Sequence, residues 1–214
     1  MSIDQKLVKK PLNTRQGMLF HLPAKLHDLF DNVTVNPEKL EKIRQRPLPD
    51  KRYIIFFTPR SGSSRLGDLI GKTGQLANPG EPFNPAFMPT IAERYEAADI
   101  DAYVSNLMRM RNINGVFGAE ATFGHVHNTF GSMEAMLRLI DPTSCIWLIR
   151  EDIVAQAVSL SRFQQTQVAH SSLAGPEDEK RAEDTFVYKP GEIGTAMERL
   201  FWQEERMEAY FMQC

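Results

Sequence analysis

The chain has 214 residues, 42% of them hydrophobic, and its 25 Lys+Arg against 27 Asp+Glu give a net charge of −2. That length and apolar content suit one domain with a core large enough to fold without covalent staples. The near-balanced charge excludes a global basic field for nucleic acid or an anionic membrane, so any bound anion must be held by a local cluster.

The two cysteines, Cys145 in an apolar run and Cys214 at the last position, read as a reduced core cysteine and a terminal thiol rather than a disulfide pair. His125 and His127 stand at i, i+2 with no further ligand nearby, which does not make a metal site. The first residues carry charge but no apolar h-region, and no stretch approaches the roughly 18 apolar residues of a membrane span. A soluble, cytoplasmic protein is expected.

In chain order, residues 1–50 are mixed in polarity and carry Pro11, Pro23, Pro37, Pro47 and Pro49. They read as an N-terminal extension with short helices over 23–30 and 37–45, the second opened by an Asn36 cap and Pro37. Tyr53-Ile54-Ile55-Phe56-Phe57 is a continuous apolar, β-prone run, which predicts a strand covered on both faces. It leads into Thr58-Pro59-Arg60-Ser61-Gly62-Ser63-Ser64 and a helix over 64–72. Residues 115–119 read as another strand and 132–140 as a helix. A second buried strand is predicted over 144–149, ending at Arg150, with a helix over 152–165 capped by Asp152. The polar run 170–184 reads as a mobile loop. A last helix over 191–212 lines up Ile193, Met197, Leu200, Met207 and Phe211 as a core-facing stripe. Strands alternating with helices predict an α/β fold with a parallel sheet and right-handed crossovers.

The loop 58–64, between an apolar strand and a helix start, is a place where backbone N–H groups converge on an anion and the helix dipole assists. Gly62 permits close approach, Ser61, Ser63 and Ser64 offer hydroxyls, and Arg60 adds fixed charge. A nucleoside-triphosphate P-loop is disfavoured: no lysine follows the glycine, and Gly71-Lys72 lies a helix downstream. Arg150 ends its strand where open α/β sheets bind ligands, and Ser159 follows about two and a half turns into the next helix.

Together, TPRSGSS and the R-x-D-x-x-x-Q-A-V-S string from Arg150 to Ser159 resemble the two cofactor motifs of sulfotransferases that use 3′-phosphoadenosine 5′-phosphosulfate (PAPS). The resemblance is greatest to the trehalose 2-sulfotransferase family, with its Q-R-S-G-S-T loop, G-E-P-x-E-F-F, and R-P-D-x-V-x-Q-A-V-S-x-x-x-A-x-Q-T. Here PRSGSS, then NPGEPF at 78–83, then the Arg150 string through Gln165 and Thr166 are collinear over about three quarters of the chain. The resemblance implies a parallel-sheet, P-loop-like sulfotransferase fold with helices on both faces, in a domain spanning 51–214. Arg60, Ser61, Gly62, Ser63 and Ser64 would hold the 5′-phosphosulfate, and Arg150 with Ser159 the 3′-phosphate. Glu81 matches the family's general base; His125 and His127 are its competitors. A carbohydrate or other small-molecule hydroxyl acceptor is implied, with no metal, and a homodimer as the assembly.

The chain departs from the family pattern at three points. The first glutamate of G-E-P-x-E is Asn78, a lysine after the G-V-W-G-type strand is Glu120, and the family continues past the last helix into a further strand, whereas this sequence ends at Cys214. The acceptor therefore need not be trehalose, and the part of the family fold after the last helix is expected to be lacking. The alternative is a catalytically weak protein that binds PAPS or adenosine 3′,5′-bisphosphate.

Overall fold

The structure, a computed structural model, describes residues 29–168 and 175–212. The expected helix over 23–30 lies almost wholly outside them, as does Cys214. Helix α1 (Pro37–Arg44) is capped by the Asn36 side chain, which accepts from the Lys39 N–H, with proline in its first turn. The apolar run becomes β1 (Lys51–Phe57), followed by α2 (Ser63–Lys72), α3 (Met88–Arg94) and α4 (Ile100–Met110). Next come β2 (Val116–Ala121), α5 (Phe123–Phe130), α6 (Met133–Ile140), β3 (Ser144–Leu148) and α7 (Ile153–Thr166). The described chain closes with α8 (Pro176–Thr185) and α9 (Pro190–Phe211).

The three strands form one parallel sheet in the order β2-β1-β3. Placing β1 in the centre explains its unbroken apolarity. Ile54 and Phe56 join the main core, while Ile55 and Phe57, on the opposite face, are buried as well. A strand so buried has nowhere to place a polar residue. The helices, inserted as crossovers between parallel strands, supply the cover: Tyr103, Val104 and Leu107 from α4 and Met136 and Ile140 from α6 enter the main core.

Strand β3 departs from the expectation of a second buried strand. Among the described residues it pairs only with β1, and Ile146 is 46% exposed, with Ile149 just beyond it 50% exposed. An apolar run reports a preference for extended backbone; coverage depends on neighbours that the run does not encode. Only part of β3 is sealed, where Trp147 stacks on Phe211 of α9 at 5.7 Å. Phe211 also meets Phe56 edge-on, which ties the end of the long helix to the central strand. Cys145 lies half-buried against the core.

Of the polar run 170–184, expected to be a mobile loop, residues 170–174 lie outside the described residues and most of the rest forms α8. Its first turn holds Pro176 with Glu177, Asp178 and Glu179, the composition a helix N-terminus favours. Its single buried residue, Ala182, sits where α8 packs on α7. Charge density masked a helix that buries a single residue. The predicted apolar stripe of α9 is buried at Ile193, Leu200 and Met207. Its first half packs on Ala157 and Leu160 of α7 and its second half on the main core.

The β1–β2 register sets Tyr53 opposite Gly118. A Cβ on Gly118 would stand 2.1 Å from Tyr53 Cζ, an overlap that forces the ring to move. Gly118→Ala should therefore destabilise the fold by about 1–3 kcal/mol and lower the calorimetric midpoint by roughly 3–10 °C. An unchanged midpoint would mean that the ring has another place to go. Among the described residues, no helix is long and apolar enough to cross a membrane.

Candidate active site

All three parallel strands deliver residues to one end of the sheet, beyond their carboxyl termini, where open α/β sheets form their crevice. A cleft of about 510 Å³ lies there. It is lined by Arg60, Ser63 and Ser64 from the β1–α2 segment, by Glu81, by Thr122 and His125 after β2, and by Phe163 and Gln164 from α7.

The β1–α2 loop is bent by two residues in the left-handed region, Arg60 (φ 69°) and Gly62 (φ 102°). Glycine takes this conformation freely, whereas arginine does so at a cost of order 1 kcal/mol or more. The strain is held by Gln156 of α7, fully buried, whose Nε2 donates to both Thr58 Oγ1 and Pro59 O at 2.8 Å. Arg150 adds a further tie, donating from Nη1 to Arg60 O at 3.2 Å.

The resulting surroundings are electropositive. The Arg60 guanidinium donates through Nε to Ser159 Oγ at 2.9 Å and lies 5.8 Å from the centre of the Phe163 ring. Burial, and then the charges of Arg150 and Arg162, push its pKa down. Such a cluster of like charges is stable only when an anion or water compensates it. Helix α2 begins at Gly62 without a side-chain cap and with no acid in its first turn, so its dipole is uncompensated. Ser61 Oγ is buried with no hydrogen-bond partner, and a Cβ on Gly62 would meet only open space. These features suit a bound phosphate or sulfate.

Glu81 reaches the cleft on a segment clamped through its carbonyls. Arg111 donates to Pro79 O at 2.9 Å, the Glu120 N–H to Gly80 O at 2.7 Å, the Tyr103 hydroxyl to Pro82 O at 2.5 Å, and the Thr129 hydroxyl to Phe83 O at 3.0 Å. Four donors from α4, its C-cap, β2 and α5 thus place one short loop. The Glu81 carboxylate accepts from Asn84 Nδ2 at 3.0 Å, and His125 Nε2 lies 3.9 Å from the same oxygen, Oε2.

Thus Arg60, Ser63, Ser64, Glu81 and His125 line one cleft, with Ser61 and Gly62 in the same loop and Arg150 and Ser159 bonded to Arg60. His127 is separate: two residues along α5 turn it about 200° from His125, and it lies exposed with its ring stacked on Phe123. Gln156, Thr122, Asn84 and Phe163 were not singled out as site residues in the sequence. Of these, Gln156 alone carried a signal, its place inside the Arg150 string.

The two departures at 78 and 120 are neighbours in space. A Cβ on Gly67 of α2 would lie 3.0 Å from both Asn78 Oδ1 and Glu120 Oε1. Glu120 is buried and its Oε1 has no hydrogen-bond partner. Burial, then Glu81 and Asp68, push its carboxyl up to about 7. Among the described residues, no group of three His, Cys, Asp or Glu side chains is placed to hold a metal ion.

Residues 110–214 match the family model described as Stf0 sulphotransferase. The matched stretch contains His125, Arg150 and Ser159, while the 58–64 loop and Glu81 precede it. No curated protein matches the chain.

Proposed function

Since this chain belongs to the Stf0 sulphotransferase family, we propose that the sulfuryl group it transfers comes from PAPS and goes to a hydroxyl of a carbohydrate or other small-molecule acceptor. The working domain is residues 51–214. The observation that carries this reading is the 2.9 Å hydrogen bond from Arg60 to Ser159, residues 99 apart in sequence. It joins the loop motif to the Arg150 motif at the mouth of the cleft that holds Glu81.

The residues present fit a ligand with two separated anionic groups. The α2 N-terminus, the hydroxyls of Ser61, Ser63 and Ser64, and Arg60 would hold the 5′-phosphosulfate. Arg150 and Ser159 would hold the 3′-phosphate, a group absent from ordinary adenosine nucleotides. When bound, PAPS supplies a sulfuryl group whose bond to phosphate oxygen breaks as the acceptor oxygen attaches. The loop donors and Arg60 stabilise the negative charge left on that phosphate. Glu81 receives the proton of the acceptor hydroxyl. Phe163 and Gln164 border the space beside them, offering an apolar face and an amide to an acceptor.

Calorimetric titration with adenosine 3′,5′-bisphosphate tests the cofactor half. The bisphosphate should bind, 5′-AMP and ATP should bind more weakly, and Arg150→Ala should weaken the bisphosphate by roughly 10- to 100-fold, as loss of charged hydrogen bonds does. Equal binding of all three nucleotides would sink the two-phosphate reading. A second reading, a PAPS- or bisphosphate-binding protein with little transfer activity, draws on the buried acid at Glu120 close to the base. Tight bisphosphate binding without transfer across a panel of hydroxyl acceptors would favour it.

A further inference from the structure

His125 occupies the third position of α5 and closes a capping box: Thr122 Oγ1 accepts from the His125 N–H at 3.1 Å, and His125 Nδ1 accepts from the Thr122 N–H at 3.3 Å. A nitrogen that accepts from a backbone N–H carries no proton of its own. Burial pushes the imidazole down to about 4, so the ring is neutral near pH 7 and holds a single proton. That proton must sit on Nε2, the atom facing Glu81 Oε2 at 3.9 Å. A neutral ring with Nδ1 occupied and Nε2 protonated has no lone pair with which to take a proton from an acceptor.

We propose that His125 is a positioning residue, its Nε2–H directed at Glu81 Oε2 by the α5 capping box, so that with Asn84 it holds that oxygen and leaves Oε1 to receive the acceptor's proton. This rests on the reading of Glu81 as the base. The separation is 3.9 Å, and catalytic hydrogen bonds commonly shorten once substrates are bound. The arrangement also selects between the two carboxylate oxygens, since Asn84 Nδ2 already occupies Oε2 at 3.0 Å. Among the described residues, the other charged groups around this segment are Arg60 and Arg65, which line the same cleft, Arg111 against the 79–80 turn, and Glu120 from β2, whose own carboxyl feels Glu81.

The test needs no acceptor. The full chain is labelled with ¹⁵N-histidine and ¹³Cδ-glutamate, and the Glu81 resonance is identified from its loss in Glu81→Gln. Between pH 6 and 8 the imidazole spectrum should show His125 with a bare Nδ1 and a protonated Nε2. His125→Asn keeps a short acceptor over the Thr122 N–H but falls short of Glu81; at pH 7 it should displace the Glu81 ¹³Cδ resonance, which responds to loss of a donor at Oε2. His125→Gln, which supplies both cap acceptor and reaching donor, should return that resonance to the wild-type position. A purely structural role for His125 would leave the resonance unmoved in both variants. Should the His125 variants fail to fold, the tautomer in the wild-type chain still decides. A proton found on Nδ1 overturns the proposal, as does a Glu81 resonance indifferent to His125→Asn. If Glu81→Gln retains its transfer rate, the base reading itself falls. If the rate collapses but the tautomer is reversed, only the role given to His125 falls.

Discussion

Glu81→Gln is expected to slow sulfuryl transfer by about 10²- to 10⁴-fold, the range associated with loss of a positioned general base. Affinity for adenosine 3′,5′-bisphosphate should stay within about twofold, because the anion donors proposed above are Arg60, the 61–64 loop, Arg150 and Ser159, and Glu81 is not among them. The substitution is nearly isosteric, and the segment carrying it is held by backbone carbonyls at Pro79, Gly80, Pro82 and Phe83. It therefore removes a proton acceptor with little disturbance of the loop. Initial rates with any acceptor turned over by the wild type, compared alongside calorimetric bisphosphate binding, check both halves. A variant that keeps its rate would remove Glu81 from the chemistry. A variant that loses bisphosphate binding in parallel would show that the glutamate shapes the cofactor site instead.

The second large effect concerns stability and pH. Glu120 is buried beside Gly67, and its carboxyl is raised to about 7 by burial first, then by Glu81 and Asp68. In the unfolded chain a glutamate titrates near its ordinary value of about 4.3. Because the folded value is the higher one, the folded state binds the extra proton between those limits. The contribution is fully present below about pH 4, declines as pH rises, and is lost above about 7. At about 1.4 kcal/mol per pH unit, and discounted for partial screening, the loss is on the order of 2 kcal/mol. Glu120→Gln abolishes this decline. Denaturant unfolding at pH 5.5 and pH 8 should therefore show the variant gaining on the wild type as pH rises, and exceeding it at pH 8 by about 2 kcal/mol. A variant weaker than the wild type at pH 8 would mean that the ionised carboxylate has a partner worth more than its burial costs.

Local signals carried much of the fold. The β1–loop–α2 unit, the β3–α7 unit and α6 were readable because each joins an apolar run to a cap or turn within a few residues, with Gly62 ahead of α2, Asp152 ahead of α7 and Ser132 ahead of α6, whereas α9 was readable from its apolar stripe. Helices α3 and α4 were not assigned, although Asp99 caps α4 by accepting from the Ala102 N–H. Helix α8 was misread because a charged surface with one buried residue, Ala182, shows no apolar periodicity. The exposure of Ile146 is a property of sheet order, which no strand carries in its own residues.

The candidate site divides in the same way. The loop and the Arg150 string announce themselves as short patterns, and the structure brings them within hydrogen-bonding distance. What the sequence did not disclose are relations across the chain: Gln156 holding Thr58 and Pro59, Asn84 and His125 converging on one oxygen of Glu81, and the separation of His125 from His127 by the turn of a helix. Periodicity would have revealed that last separation had 123–130 been recognised as helical. Its Gly124 and a cap whose third residue is histidine rather than glutamate or glutamine obscured it.

The meeting of Asn78 and Glu120 against Gly67 bears on how such a site diverges. In the family pattern the corresponding pair is a glutamate and a lysine, opposite charges able to neutralise each other; here it is an amide and an acid. Asn78→Glu alone would set a second carboxylate against the first, and Glu120→Lys alone would bury an ammonium beside a neutral amide. Either single step passes through an uncompensated charge in a tight space, where a Cβ on Gly67 would already lie 3.0 Å from both side chains. The two positions are thus expected to change together across relatives, as one linked character rather than two independent ones, with glycine retained at 67 in both versions.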